Sequence, residues 1–313
     1  MNTLKVLLTG ASGFIGSALA PRLVAKGYDV YCLTRYVTGR IGQSPEYKTV
    51  YADLTDSFSL VNAVRGVHPD IVIHLAAISP VSYSYEHPQE VNEVNYLGTL
   101  NLCEAVLRHC SNFKQFLFAG TSEEYGNNGS QVQEEGNPLY PASPYAVSKV
   151  ACEKYLNYMW EAYDFPVTIL RPFNTYGRRS DSHFLIEKTI VQMLRGETVK
   201  LRDPSPVRDW LFVEDHVNAY LSCLENLKAI GEVFNFCSGL GLSIKDTVEM
   251  IGKITGFSGE VKWFSGEPER PLESRLIIGS YAKAEKTLGW APKWSLKQGL
   301  EATVKHWRTR LES

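Results

Sequence analysis

Two side chains set for proton transfer stand four residues apart in Ser143-Pro144-Tyr145-Ala146-Val147-Ser148-Lys149. On a helix that spacing puts the Tyr145 phenol and the Lys149 ammonium on one face. A neighbouring cation stabilises phenolate, so Tyr145 is expected to act as a base near neutral pH. An exposed Tyr/Lys pair doing no chemistry has the same spacing. What separates the two possibilities is a second feature, near the start of the chain.

That feature is Thr9-Gly10-Ala11-Ser12-Gly13-Phe14-Ile15-Gly16, which follows an apolar run from Leu4 to Thr9 and opens a helical stretch to about Lys26. Glycines let the backbone turn tightly and approach a pyrophosphate, whose charge then rests at the helix N-terminus. In this strand-turn-helix context Gly10, Ser12, Gly13, Phe14, Ile15 and Gly16 are predicted to hold a nicotinamide dinucleotide. The second strand ends in Thr34-Arg35 rather than in the acidic residue that would hold a ribose diol. A guanidinium there suits a 2′-phosphate and favours NADP; NAD stays open if Arg35 stacks on adenine or points to solvent. Asp53 and Leu54 after the third strand, and Leu75, Ala76 and Ala77 after the fourth, complete the predicted cofactor contacts at successive strand ends.

Both features need a scaffold. Strand candidates at Leu4 to Thr9, Asp29 to Leu33, Val50 to Ala52, Ile71 to Leu75, Gln115 to Ala119 and Val167 to Leu170 alternate with amphipathic stretches. This is the pattern of a doubly wound, parallel α/β sheet of the Rossmann kind. After Arg171 the rhythm changes: Pro204, Pro206, Trp210, Pro268 and Pro271 separate helical segments at Asp215 to Leu227 and Ser243 to Thr255. Residues 1–171 are therefore read as the NAD(P)-binding domain. Residues 172–313 are read as a smaller α/β substrate lobe, with some segments, Phe212 to Tyr220 among them, returning to the main domain.

The composition narrows the function classes. With 313 residues, 44% of them hydrophobic, the chain can fill a sizeable core. A formal net charge of -2 offers no basic surface for nucleic acid. No apolar stretch approaches the roughly 20 residues of a membrane span. The 6 cysteines show no metal-finger or redox spacing, so reduced core thiols, no metal site and a cytoplasmic location are expected.

Six motifs together resemble the extended short-chain dehydrogenase/reductase family, in its sugar-nucleotide epimerase and dehydratase branch. They are TGASGFIG at Thr9 to Gly16, HLAA at His74 to Ala77, NYLGTLNLCEA at Asn95 to Ala105, YAVSK at Tyr145 to Lys149, RPFNTYG at Arg171 to Gly177 and RDWLFVEDH at Arg208 to His216. The resemblance implies that Lys149 also holds the nicotinamide ribose and that Thr121 bonds the reacting sugar hydroxyl. It further implies that Asn174 and Arg208 contact the substrate diphosphate and that Asn95 stands behind the Tyr/Lys pair. Helices at Val91 to Arg108 and Val147 to Ala162 would pair into a homodimer interface.

The segment Thr121-Ser122-Glu123-Glu124-Tyr125-Gly126 bears on the reaction. A carboxylate at Glu123 gives the site a second base, as a 4,6-dehydratase requires. Its Thr-Ser-Glu order is similar to that of GDP-mannose 4,6-dehydratases, with Ser122, Lys188 and Arg270 expected in the substrate pocket. The apolar Phe14-Ile15 pair and the short chain are closer to GDP-4-keto-6-deoxy-mannose reductases, while a nucleotide-sugar 4-epimerase would use the same Tyr145, Lys149 and Thr121. An NADP-dependent dehydratase of a GDP-hexose such as GDP-mannose is the leading expectation, with the reductase and the epimerase as alternatives. A nucleotide-sensing module is disfavoured, because Tyr145 and Lys149 are both retained.

Overall fold

Seven parallel strands form the main sheet of the computed structural model, which describes residues 3–35, 47–264 and 272–312. In chain order the strands of the molecule are β1 (Lys5–Thr9), β2 (Asp29–Thr34), β3 (Lys48–Tyr51), β4 (Ile71–His74), β5 (Gln115–Ala119), β6 (Val167–Pro172), β7 (Asn174–Tyr176), β8 (Val199–Leu201), β9 (Val207–Phe212), β10 (Glu232–Phe236), β11 (Gly241–Ser243), β12 (Val261–Trp263) and β13 (Leu276–Ile277). The main sheet runs β10-β6-β5-β4-β1-β2-β3. Its six predicted strands are all present, and the order reverses beside β1, where such sheets open a ligand crevice.

Alternation along each strand divides the core in two. Val6, Leu8, Ile71, Ile73 and Leu117 face one side of the sheet, and Leu7, Val72, Phe116 and Phe118 face the other. The first side is covered by α1 (Phe14–Ala25) and others, the second by α2 (Ser57–Val67) and later helices. Between α2 and β5 come two short helices, α3 (Val81–Glu86) and α4 (Pro88–Asn92), and then α5 (Gly98–His109). The long helix α6 (Pro144–Tyr163) follows. It starts where its sequence dictates: the Ser143 hydroxyl accepts from the Ala146 N–H at 3.1 Å, and Pro144 occupies the first helical turn.

The stretch from Val91 to Arg108 is not the single helix expected. A π-turn at Glu93–Leu97 separates α4 from α5. Its wider winding frees the Asn95 carbonyl to accept from Thr99 and from Cys152 on α6. Such turns cluster at functional sites, and this one points Asn95 at the region behind Tyr145.

The second half supplies α7 (Leu185–Leu194), α8 (Val213–Cys223), α9 (Ile244–Thr255), α10 (Ala282–Leu288) and α11 (Leu296–Glu312). Strands β11, β9, β13 and β7 make a small mixed sheet, and α7, α9 and α11 pack together beside it. Two segments return to the main body: β10 pairs with β6 in the large sheet, and α8 packs on α1. No helix among the described residues is long and apolar enough to cross a membrane.

Candidate active site

A cleft of ≈1310 Å³ lies over the C-terminal ends of the main-sheet strands and beneath the second half. It gathers every sequence-predicted site residue that the structure describes. Gly10, Ser12, Gly13, Phe14, Ile15 and Gly16 form one wall, with Arg35, Asp53, Leu54, Leu75, Ala76 and Ala77 beyond them. Thr121, Ser122, Glu123, Tyr145 and Lys149 line the middle, and Asn174, Lys188 and Arg208 the far side. Arg270 lies outside the described residues.

The glycine loop fits a dinucleotide. Gly10 has φ +70°, and a Cβ there would stand 2.7 Å from the Ala76 nitrogen; a Cβ on Gly16 would stand 2.2 Å from the Gly10 carbonyl oxygen. The loop is thus packed against the end of β4 as closely as bare backbone allows. Helix α1 begins without a side-chain cap, leaving its N-terminal dipole to the cleft. Behind the loop, His74 ties β1, β4 and α5 together: Nδ1 meets the Thr9 hydroxyl at 2.7 Å and Nε2 meets that of Thr99 at 3.0 Å. The Thr9 hydroxyl in turn accepts from the Ala76 N–H at 3.1 Å. Beyond the end of β2 the Arg35 guanidinium stands 4.0 Å from the Asp53 carboxylate, more than half exposed.

Tyr145 and Lys149 share a face of α6, as their spacing requires, and both are buried. Lys149 is expected from that spacing to lower the phenol's pKa, but the phenol is raised instead. Burial is the largest cause, Glu124 and Glu123 add to it, and a hydrogen bond with Thr121 pulls the other way. The Lys149 ammonium itself is engaged at the end of β5. It donates to the Ala119 carbonyl at 2.7 Å and lies 4.7 Å from the Phe118 ring centre. Burial lowers the lysine's own pKa. Beneath the pair, the Asn95 amide donates to the Ser148 hydroxyl at 3.0 Å and braces the Ile78 backbone through two further bonds.

The two adjacent glutamates separate into different environments. Glu124 turns inward, fully buried, and accepts from the Thr121 N–H at 2.9 Å. There it neighbours Glu153 and lies 3.5 Å from Arg171, and burial raises its pKa well above the ordinary carboxylate range. Glu123 instead lines the cleft, close enough to Tyr145 to act on the phenol's charge. The cleft therefore holds a hydroxyl, a phenol, an ammonium and a second carboxylate at the end of β5.

On the far side Arg208 is buried, with Nη2 3.8 Å from Glu273, and the buried Asn174 Oδ1 has no protein partner. Arg178, His216 and Tyr220 are among the cleft residues that have no role in the sequence reading. Arg178 stacks on Phe14 at 4.3 Å and on Phe184 at 3.5 Å, and so joins the glycine loop to the second half. His216 closes a motif that the resemblance uses, and Tyr220 follows four residues later on the same helix face; that spacing was the available signal.

Residues 7–303 match the family model described as GDP-mannose 4,6 dehydratase. The chain belongs to the extended short-chain dehydrogenase/reductase family, in its sugar-nucleotide epimerase and dehydratase branch. Its members of this kind are NAD(P)-dependent enzymes. A UDP-glucose 4-epimerase of Mycolicibacterium smegmatis is 32% identical, with 98% of this chain and 99% of that protein covered. A dTDP-D-glucose 4,6-dehydratase of Bos taurus is 29% identical over 97% of this chain and 88% of its own. Among solved structures, the Thermus thermophilus UDP-glucose 4-epimerase in complex with NAD superposes with a TM-score of 0.89 at 31% identity, covering 97% of this chain and 99% of that one.

Proposed function

We propose that this enzyme is a nucleotide-sugar 4,6-dehydratase that uses NADP and acts on a GDP-hexose such as GDP-mannose. The observation that carries the proposal is Glu123, a carboxylate in the cleft beside Tyr145 and Thr121, distinct from the buried Glu124. Gly10, Ser12, Gly13, Phe14, Ile15, Gly16, Arg35, Asp53, Leu54, Leu75, Ala76 and Ala77 would hold the cofactor, with Lys149 on its ribose. When bound, the nicotinamide supplies the hydride acceptor for C4 and the hydride donor for C6.

Thr121 orients the C4 hydroxyl and Tyr145 takes its proton in the phenolate form, which the neighbouring Lys149 cation would favour against burial and the carboxylates. The resulting C4 ketone acidifies C5, whose proton Glu123 removes while the C6 hydroxyl departs as water. A proton returns to C5 as C6 is reduced, so the net change is loss of one water. Asn174, Arg208, Lys188 and Ser122 would bind the substrate; the buried Arg208 guanidinium suits a diphosphate. The absence of an acidic residue after β2, with Arg35 in its place, favours the 2′-phosphate of NADP.

A 4-epimerase is the second reading, favoured by the end-to-end similarity to UDP-glucose 4-epimerases. The exposed Leu97, Val147, Tyr158 and Tyr163 near or on α6 support a homodimer, and the free, mostly buried cysteines support a reducing, cytoplasmic setting. Mass spectrometry of GDP-mannose incubated with the enzyme and trace NADP tests the main proposal. Loss of one water without net cofactor consumption is expected. An unchanged mass for GDP-mannose, together with interconversion of UDP-glucose and UDP-galactose, would establish the epimerase instead.

A further inference from the structure

Arg178 follows β7 and reaches from the second half back to the glycine loop. Its guanidinium lies 4.3 Å from the Phe14 ring centre and 3.5 Å from that of Phe184, so two aromatic rings hold it in place. Stacking of this kind leaves the edge of the fork for hydrogen bonds. Only one corner of that edge is used within the protein. Nη1 donates to the Thr175 carbonyl at 2.9 Å and lies 3.6 Å from Glu187, whose other oxygen accepts from the Gly177 and Arg178 N–H groups. Nε and Nη2 have no acceptor among the described residues, yet neither is sealed from solvent: the side chain is 14% exposed and lines the cleft. A guanidinium that only pinned the two halves together would turn its donors on protein acceptors, as Arg171 does with Glu153 and Tyr125.

The ring it rests on locates what the free edge faces. Phe14 is the first residue of α1, and side chains on a helix lean toward its N-terminus. The N–H groups of Phe14, Ile15 and Gly16 precede the first helical bond, which Ser17 makes to the Gly13 carbonyl at 3.0 Å, and all three residues line the cleft. Such groups take a dinucleotide pyrophosphate. A pyrophosphate is doubly negative, whereas a helix N-terminus offers about half a positive charge. Arg178 brings a full charge to the same place from the opposite half of the molecule.

We infer that Arg178 is a cofactor-binding residue, whose Nε and Nη2 donate to the pyrophosphate of the nicotinamide dinucleotide. The fork suits two phosphate oxygens at once. The cofactor would then be held between the glycine loop and the second half. This rests on the dinucleotide binding proposed above.

Calorimetric titration of the full-length enzyme tests the inference with NADP and with GDP-mannose, which also carries a diphosphate. Arg178→Met alone would leave Glu187 as an unpaired buried carboxylate, so it is made together with Glu187→Gln, whose amide oxygen still accepts the two backbone N–H bonds. The double variant should bind NADP at least about tenfold more weakly than Glu187→Gln alone, the usual worth of a hydrogen bond to a charged group. GDP-mannose should bind the two proteins within about twofold of each other. A loss for NADP under about threefold overturns the inference and leaves Arg178 as packing. Weakened GDP-mannose with NADP unchanged overturns it too, and gives the guanidinium to the substrate diphosphate. Equal losses for both ligands also overturn it, since a distorted cleft produces them. If the double variant shows no cooperative melt, Arg178→Lys is compared with the wild type; it keeps the charge beside Glu187 and loses the fork. A loss of about threefold or more for NADP alone then supports the inference, and a smaller one overturns it. UDP-glucose replaces GDP-mannose where the wild type does not bind the latter. A wild type that binds neither NADP nor NAD would overturn the dinucleotide site itself. A preference for NAD would revise only the 2′-phosphate reading, and the series is then read with NAD, whose pyrophosphate is the same.

Discussion

Arg171 is a buried cation that binds the carboxylates behind Tyr145, and replacing it with Met should expose how that cluster is held. Its Nε and Nη2 grip Glu153 at 2.9 and 2.6 Å, Nε lies 3.5 Å from Glu124, and Nη1 donates to the Tyr125 hydroxyl at 3.0 Å. All three charged side chains are at most 6% exposed. Removing one partner of a buried ion pair costs about 3 to 5 kcal/mol, because the remaining charge is left unpaired in a poor solvent. For 313 residues the unfolding entropy is roughly 0.65 kcal/mol/K, so a loss of about 4 kcal/mol lowers Tm by about 6 °C.

The loss should also depend on pH. In the native protein Glu124 has a raised pKa, so the folded state binds more protons than the unfolded state above the ordinary value of 4.5, and stability falls as pH rises through that window. Arg171 opposes the raising of Glu124, so its removal pushes Glu124 further up and extends the fall to higher pH. Thermal unfolding followed by circular dichroism at pH 5.5 and 8.5 measures both effects. Arg171→Met should lose more at pH 8.5 than at pH 5.5, and a second change, Glu153→Leu, should restore part of the loss. A drop under about 1 °C at pH 8.5, or equal drops at the two pH values, would refute this reasoning.

Tyr145→Phe should abolish turnover while leaving NADP affinity, read by calorimetry, within about threefold of the wild type. Glu123→Gln should lower water elimination by roughly 10² to 10⁴, the usual contribution of a positioned base; solvent deuterium should then enter C5 correspondingly more slowly. Equal loss of C4 oxidation, followed by transient nicotinamide absorbance, would remove Glu123 from its proposed role. Arg35→Ala should weaken NADP about tenfold and NAD hardly at all, the low end for a charge-assisted bond because Arg35 is more than half exposed. Parallel titrations of the two cofactors check this.

The main sheet was legible because its strands are short apolar runs whose alternate residues fill two separate cores, and because the helices between them are long enough to cross over. The strands of the second half were not. β7, β8, β11, β12 and β13 have two or three residues each, too few for periodicity to register, and they exist only through pairing with distant partners. β10 is longer, but only its place beside β6 marks it as part of the large sheet.

Local sequence determined what local physics can determine. The glycine loop, the Ser143-Pro144 helix start and the shared face of Tyr145 and Lys149 each follow from residues within a few positions of one another. Tertiary structure decided everything that depends on a long-range neighbour. It turned Glu124 toward Arg171 and left Glu123 in the cleft, although the two are adjacent and chemically identical. It raised the phenol that its lysine was expected to lower, because burial and carboxylates outweigh a cation already bound to the Ala119 carbonyl. It also set His216 against the hydroxyl of Thr175, 41 positions away in the chain. Charge and desolvation act through space, and only the folded chain sets those distances.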